Sequence, residues 1–373
     1  MRIKPFQAEY PRVERIGSPD DFCERAKDLY TNYRKARLVE QFPEDALYIY
    51  RIRSAHRVHT GLVCINAVAD YQEGLIKRHE KTIPAREQHQ MELFLEWDAL
   101  LKPVLMTHLP IPALSALLEN FAATHSPLLE LFFEADKETH TLWAVAAPED
   151  IAAFQTIFEQ EVQTAYIADG HHRVTAVAFM HEHLRKRYPN LDFEHFFCAF
   201  FASDQLLISD FNRVVEVPPE KTEQEPLLTL LSKLFELQPL AKAHKPTQQH
   251  EILAYFEHQW YQLHWKKAVL DHWYAKETVV LDAALLNVLV LRDVFDIVDV
   301  RNDRRIHYIE GKKGMEGIRR LVDQGPNRIG FALFPVSFEA MAHLADSGKT
   351  LPPKSTYFEP RLKTGLLVKR LGL

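Results

Sequence analysis

The run from Phe196 to Phe201 restricts the fold more than any other stretch of this chain. Phe196, Phe197, Cys198, Ala199, Phe200 and Phe201 follow one another with no polar residue between them. A strand with one wet face would alternate, and the run is too short for a buried helix. It reads as a central strand covered on both faces. Covering both faces takes helices, and the preceding stretch supplies one. An apolar run from Ala165 to Ala168 enters Asp169, Gly170, His171, His172 and Arg173, and an apolar helical pattern from Val174 to Leu184 leaves it. Strands alternating with such helices predict an α/β fold with a mixed sheet.

The remaining elements follow from the same periodicities. Phe22, Ala26, Leu29, Tyr30 and Tyr33 recur at helical spacing behind Ser18 and Pro19, a cap and a first-turn proline. Residues 46–52 and 60–68 read as a hairpin, and 128–134 with 140–146 as another. Helices are expected over 85–101, 111–121 and 151–158, with a short strand at 103–106. Residues 206–208 and 211–215 are expected to continue the sheet. Pro218, Pro219 and the acidic run to Glu225 then mark a boundary. We therefore expect a core over residues 1–220 and an α+β region over 221–373. In the latter, 227–237 reads as a helix, 268–274 and 279–281 as strands, and Asp282 as the cap of a helix over 283–291. Strands at 304–309, 328–334 and 365–368 and helices at 314–324 and 335–347 complete the pattern.

Composition removes several function classes. The net charge of −6 argues against a nucleic-acid coat. Cys23, Cys64 and Cys198 have no paired spacing, which predicts reduced, buried thiols and a cytoplasmic chain. No apolar leader follows Met1 and no membrane-length apolar run occurs, so neither a signal peptide nor a span is expected. Neither GxGxxG nor GxxxxGK[ST] is present, so the common nucleotide loops are unsupported.

Chemistry concentrates in three places. From Asp169 to Arg173, an acid, a glycine, two imidazoles and a guanidinium stand at a helix start. Free amides and the helix dipole favour an anion there. Gly170 permits close approach, Arg173 can fork two phosphate oxygens, and His171 and His172 can donate to phosphate or move protons. Asp169 can hold Mg2+ or orient an imidazole; its bland role is a helix cap beside an exposed histidine pair. The second place, Lys77 to Thr82, sets His79, Glu80, Lys81 and Thr82 among further cations. Glu80 suits a general base toward a hydroxyl, against the plain alternative of a solvated charged loop. The third, Lys354, Ser355 and Thr356 behind Pro352 and Pro353, suits phosphate or carboxylate contact, or is a surface turn. Asn212 and Arg213 form a weaker fourth candidate.

These strings carry a resemblance. Ile3 to Phe6, Asp70 to Thr82, Trp143, Tyr166 to Arg173 and Pro352 to Phe358 with Gly365 and Leu366 resemble the family called domain of unknown function 1015, nearly end to end. The chain departs from that family in lacking a Pro-Tyr-Asp stretch between Pro11 and Pro43. It also carries His89 and Gln90 where the family has Asp-Arg. The turn itself is similar to the phosphate-binding turn of the ParB/sulfiredoxin group, which includes a free serine kinase. That resemblance implies a ParB/sulfiredoxin-like core and a nucleotide-dependent phosphotransferase using ATP or ADP with Mg2+. Its acceptor would be a small hydroxyl compound, free serine among the candidates. Gly170, His172, Arg173, Lys81, Thr82, Lys354, Ser355 and Thr356 would hold the nucleotide, Asp169 the metal, and Glu80, His79, Asp169 and His171 would do the chemistry. The alternatives are a non-catalytic nucleotide-binding regulator, a nucleic-acid-associated ParB-like module, or a metal-dependent hydrolase using the two histidines. The oligomeric state is left open by the sequence.

Overall fold

Strand His195–Ala202 lies inside a nine-stranded mixed sheet, as its unbroken apolar run requires. The computed structural model describes residues 1–372. It divides into two units: Met1–Leu207 with the described residues from Pro360 onward, and Ile208–Glu359. Both combine helices with sheets, an α/β class with parallel and antiparallel pairing.

In the first unit His195–Ala202 pairs in parallel with Val104–His108 on one side and antiparallel with Val58–Ala67 on the other. The sheet continues through the expected hairpins, Leu47–Arg53 with Val58–Ala67 and Leu129–Phe133 with Glu138–Val145. Phe196 to Phe201 are all buried. At the other end of the sheet come Ala165–Asp169 and then the two-residue strand Ile76–Lys77. Ser18 caps the first helix through its hydroxyl, which accepts from the Asp21 amide at 3.3 Å. That helix stops at Glu24, and a second runs over Ala26–Lys35. A four-stranded sheet joins Val39–Gln41, Ala8–Pro11, Val368–Arg370 and Ala99–Leu100. The three cysteines are free and buried. Among the described residues no helix is long and apolar enough to cross a membrane.

The second unit is built on a six-stranded antiparallel sheet in the order Phe235–Leu240, Gln259–Trp265, Glu251–Phe256, Arg328–Leu333, Phe211–Glu216 and Ile306–Glu310. Helix Gly314–Asp323 covers one face through Ile318 and Val322. Leu227, Leu231, Leu285, Leu286 and Val290 cover the other.

Several expectations are overturned here. Phe211–Glu216 does not continue the first sheet; it pairs with Ile306–Glu310 and Arg328–Leu333. The helix expected to reach residue 237 ends at Ser232, because Phe235–Leu240 pairs with Gln259–Trp265 and sheet pairing overrides helical propensity. Lys267–Tyr274 is a helix rather than a strand. Val269, Leu270 and Trp273 fall on one helical face and pack on the core. No strand forms at 279–281. Asp282 is no cap: the helix has no side-chain capping bond, and the buried carboxylate accepts from Trp265 Nε1 at 2.9 Å and the His250 amide at 2.9 Å. The helix expected from Pro335 starts at Phe338 with Ser337 as its cap, and the last strand is Val368–Arg370.

Gly61, on Val58–Ala67, lets the neighbouring strand approach closely. An added Cβ would press on the Phe200 carbonyl oxygen and lie 2.7 Å from the Phe201 ring. Backbone cannot move aside as a side chain can. We expect Gly61→Ala to destabilise the protein by about 1–3 kcal/mol in urea titration; a neutral result would show the sheet is looser there than the structure has it.

Candidate functional site

Two loops far apart in sequence emerge side by side in the first unit. Ala165–Asp169 pairs in parallel with Ile76–Lys77, Ala165 opposite Ile76 and Tyr166 opposite Lys77. Parallel neighbours leave a sheet on the same edge. The stretch after Lys77 therefore meets the turn after Asp169. The His79 amide donates to His171 Nε2 at 3.4 Å, and the two rings stand 4.4 Å apart, nearly perpendicular. The Ile83 amide donates to His172 Nδ1 at 3.5 Å. His171 Nδ1 lies 3.8 Å from Glu80 Oε2.

That contact pattern sets the tautomer. With Nε2 accepting from an amide, a neutral His171 carries its proton on Nδ1, facing Glu80. Both imidazoles are neutral at pH 7. Burial pushes His79 down to about 4, against the pull of Asp169. Burial, reinforced by His79, pushes His171 well below its ordinary range. His171 is buried, whereas the Glu80 side chain remains 44% exposed. Lys81 is exposed and Thr82 half-buried on the same loop.

The turn is held by its own charges. Gly170 is the helix cap, at φ 105°, and no side-chain capping bond closes the first turn of His171–His183. Arg173 folds back over Gly170, where a Cβ would lie 2.7 Å from its Nη2. Its Nη1 donates to the carbonyls of Lys102 at 2.9 Å and Pro103 at 2.5 Å, and Nη2 donates to Asp169 Oδ2 at 2.8 Å. Asp169 Oδ1 accepts from Arg361 Nη1 at 3.2 Å. Burial alone would raise the Asp169 carboxyl; Arg173, Lys102 and Arg361 together hold it well below the usual carboxylate range. Asp169 is thus the anchor of Arg173 and Arg361, not a capping residue.

Behind the turn lies a cavity of about 150 Å3 lined by Lys27, Gln90, Trp97, Lys102, Arg173 and Thr364 among others. Burial pushes Lys102 down to about 8, with Arg173, Arg361 and Lys27 adding to the effect and Asp169 opposing it. Lys27, Lys102 and Arg173 on one wall favour an anion. The volume suits a phosphate group and is too small for a nucleoside.

A metal fits this site poorly. Both Asp169 oxygens are engaged by guanidinium groups. Among the described residues no group of three or more His, Cys, Asp or Glu could hold an ion.

Lys354, Ser355 and Thr356 belong to the second unit, before strand Tyr357–Glu359. Ser355 is buried and its hydroxyl donates to the Pro352 carbonyl at 2.8 Å. The third and fourth sequence candidates meet there, because Arg213 Nη2 donates to the Lys354 carbonyl at 3.5 Å. Sequence reasoning missed Lys27, Lys102, Arg361 and Thr364. No local pattern marks them; only the fold gathers them around Asp169 and Arg173.

The family described as Protein of unknown function (DUF1015) matches residues 7–287. No curated protein matches the chain. Similar solved structures include a mutant free serine kinase in complex with ADP, at 13% identity and TM-score 0.41, covering 83% of this chain and 92% of that one. SbnI with C-terminal truncation from Staphylococcus aureus is similar at 11% identity and TM-score 0.39, over 82% of this chain and 87% of that one. A conserved hypothetical protein from Pyrococcus furiosus is similar at 11% identity and TM-score 0.37, over 81% and 93%.

The neutral imidazoles predict a pH dependence of stability. A histidine whose folded pKa lies below its unfolded value near 6.5 stabilises fully above 6.5. It loses that contribution as pH falls toward the folded value, for His79 about 4. Stability should therefore decline between pH 6.5 and about 4, and His79→Phe should flatten the decline in urea titrations across that window. An unchanged profile in the variant would mean His79 is not the group buried neutral.

Proposed function

This chain belongs to the DUF1015 family, and we propose that it is a nucleotide-dependent phosphotransferase acting on a small hydroxyl compound. The observation that carries the reading is the meeting of Glu80 with His171 on the turn whose Arg173 and Lys102 wall a phosphate-sized cationic cavity. Phosphoryl transfer asks for positioning and charge neutralisation more than for covalent chemistry. The chain has groups for each. ATP or ADP, when bound, would supply the phosphoryl group.

Lys27, Lys102 and Arg173 would neutralise phosphate oxygens, helped by the first-turn amides after Gly170, as in a ParB/sulfiredoxin-like turn. His172, Lys81 and Thr82 lie on the two loops that frame the same edge. Glu80, half-exposed, would accept the proton of the acceptor hydroxyl. The Nδ1 proton of His171 would orient that carboxylate, and His79 would fix the His171 ring through its amide. Asp169 would act through Arg173 and Arg361 as a positioning residue. Free serine is the acceptor to test first.

The test is calorimetry with ATP and ADP paired with a phosphorylation assay on serine and related hydroxyl compounds. Glu80→Gln should keep nucleotide affinity and lower kcat by about 10²- to 10⁴-fold. Binding without transfer to any hydroxyl compound would make the protein a nucleotide-binding regulator, and no binding would sink both readings.

Lys102 adds a second handle. Its charged form binds an anion better, so nucleotide affinity should fall as pH rises through about 8. Lys102→Arg should remove that fall; a fall that persists in the variant would place the titrating group elsewhere.

A further inference from the structure

Arg213 of the second unit is a buried cation with no counter-charge. It is fully buried on strand Phe211–Glu216. Side chains alternate along a strand, so Arg213 shares a face with Val215. Its cross-strand partners are Tyr308 and Phe331. Val215 and Phe331 belong to the apolar core, with Tyr308 packed against it. An apolar residue is what this row calls for.

The guanidinium is only partly satisfied. Nη1 donates to the Phe211 carbonyl at 3.0 Å, and Nη2 makes a long bond of 3.5 Å to the Lys354 carbonyl. Nε is buried and has no partner. The Tyr308 ring lies 5.5 Å away, a weak compensation. Among the described residues no carboxylate pairs with it. Burial lowers its pKa, with only Tyr308 opposing. Arg173 is largely but not fully enclosed, and it has Asp169. Burying an unpaired charge is costly, and such groups persist where something supplies the missing partner.

The adjoining turn fits that purpose. Lys354 sits at φ 54°, and its ammonium lies 4.9 Å from the Phe211 ring. Its backbone carbonyl fills one position of the Arg213 fork, while Nε and the second Nη2 hydrogen make up a fork edge matched to two oxygens.

We propose that Arg213, with Lys354 beside it, is an oxyanion-binding site of the second unit. It would take the carboxylate or phosphate of a small ligand on its Nε–Nη2 edge, beside the Lys354 carbonyl. The proposal stands whether or not the protein transfers phosphate.

Thermal melts with serine, inorganic phosphate and ADP test it, in the wild type, Arg213→Met, Arg213→Lys and Lys102→Met. The wild type should be raised in Tm by at least one probe. Serine alone would identify a carboxylate ligand, and phosphate or ADP a phosphate one. Lys102→Met should keep the shift, which separates this site from the cavity of the first unit. Arg213→Met, with its unpaired charge gone, should melt without probe at or above the wild-type temperature and lose the shift. Should it not fold, Arg213→Lys keeps the charge without the fork and should weaken the probe by about tenfold or more. No shift with any probe, or a shift that both Lys102→Met and Arg213→Met keep, overturns the proposal.

Discussion

The pairing of Asp169 with Arg173 holds the first unit's site together. Its two oxygens accept from Arg173 and Arg361, and Arg173 in turn reaches the carbonyls of Lys102 and Pro103. One carboxylate thereby ties a strand end, a helix start, the entry to strand Val104–His108 and the segment that returns after Pro360. None of these groups is stable alone in a half-buried setting. Two guanidinium groups without the carboxylate would repel, and burial would raise the carboxyl without them. Gly170 is required by the same arrangement: its positive φ turns the chain, and the missing Cβ leaves room for the guanidinium.

The cation excess follows from that arrangement. Asp169 stands beside both Arg173 and Lys102, and Lys27 joins those two on the cavity wall, so that wall carries positive charge. The histidines add none, because burial keeps them neutral. They work instead as hydrogen-bonding groups of fixed polarity. His171 accepts on Nε2 and presents a proton on Nδ1, so what faces Glu80 is a donor and not a second charge.

Local pattern made much of this legible. The apolar run from Phe196 to Phe201 and the strand-turn-helix around Gly170 announce themselves, because burial on two faces and a left-handed cap each leave a residue signature. The joining of the Glu80 loop to the turn was not legible. It depends on the parallel pairing of Ile76–Lys77, too short to be seen in periodicity. Lys102 and Arg361 were invisible for a related reason: each is an ordinary basic residue at a strand entry or in a tail, and its role comes from distant neighbours. The second unit was misread where one apolar segment could satisfy two periods. Val269, Leu270 and Trp273 suit a strand or a helix, and only the core they meet decides. The departure at His89 and Gln90 falls on the cavity wall, where Gln90 stands.

Arg173 and Arg213 show why residue type alone could not rank the candidates. Both are arginines enclosed near a strand end, and both donate to main-chain carbonyls. Arg173 has its carboxylate four residues away on the same turn of chain, so the pair is complete within the first unit. Arg213 stands opposite Tyr308 and Phe331 on the strands either side, and its four-residue neighbours, Ser209 and Val217, carry no charge. The first is a structural cation that lends its remaining field to a cavity. The second is a cation with no balancing carboxylate among the described residues. Of the two, the unbalanced one makes the stronger demand for a ligand, although the turn containing the balanced one carries the more conspicuous motif.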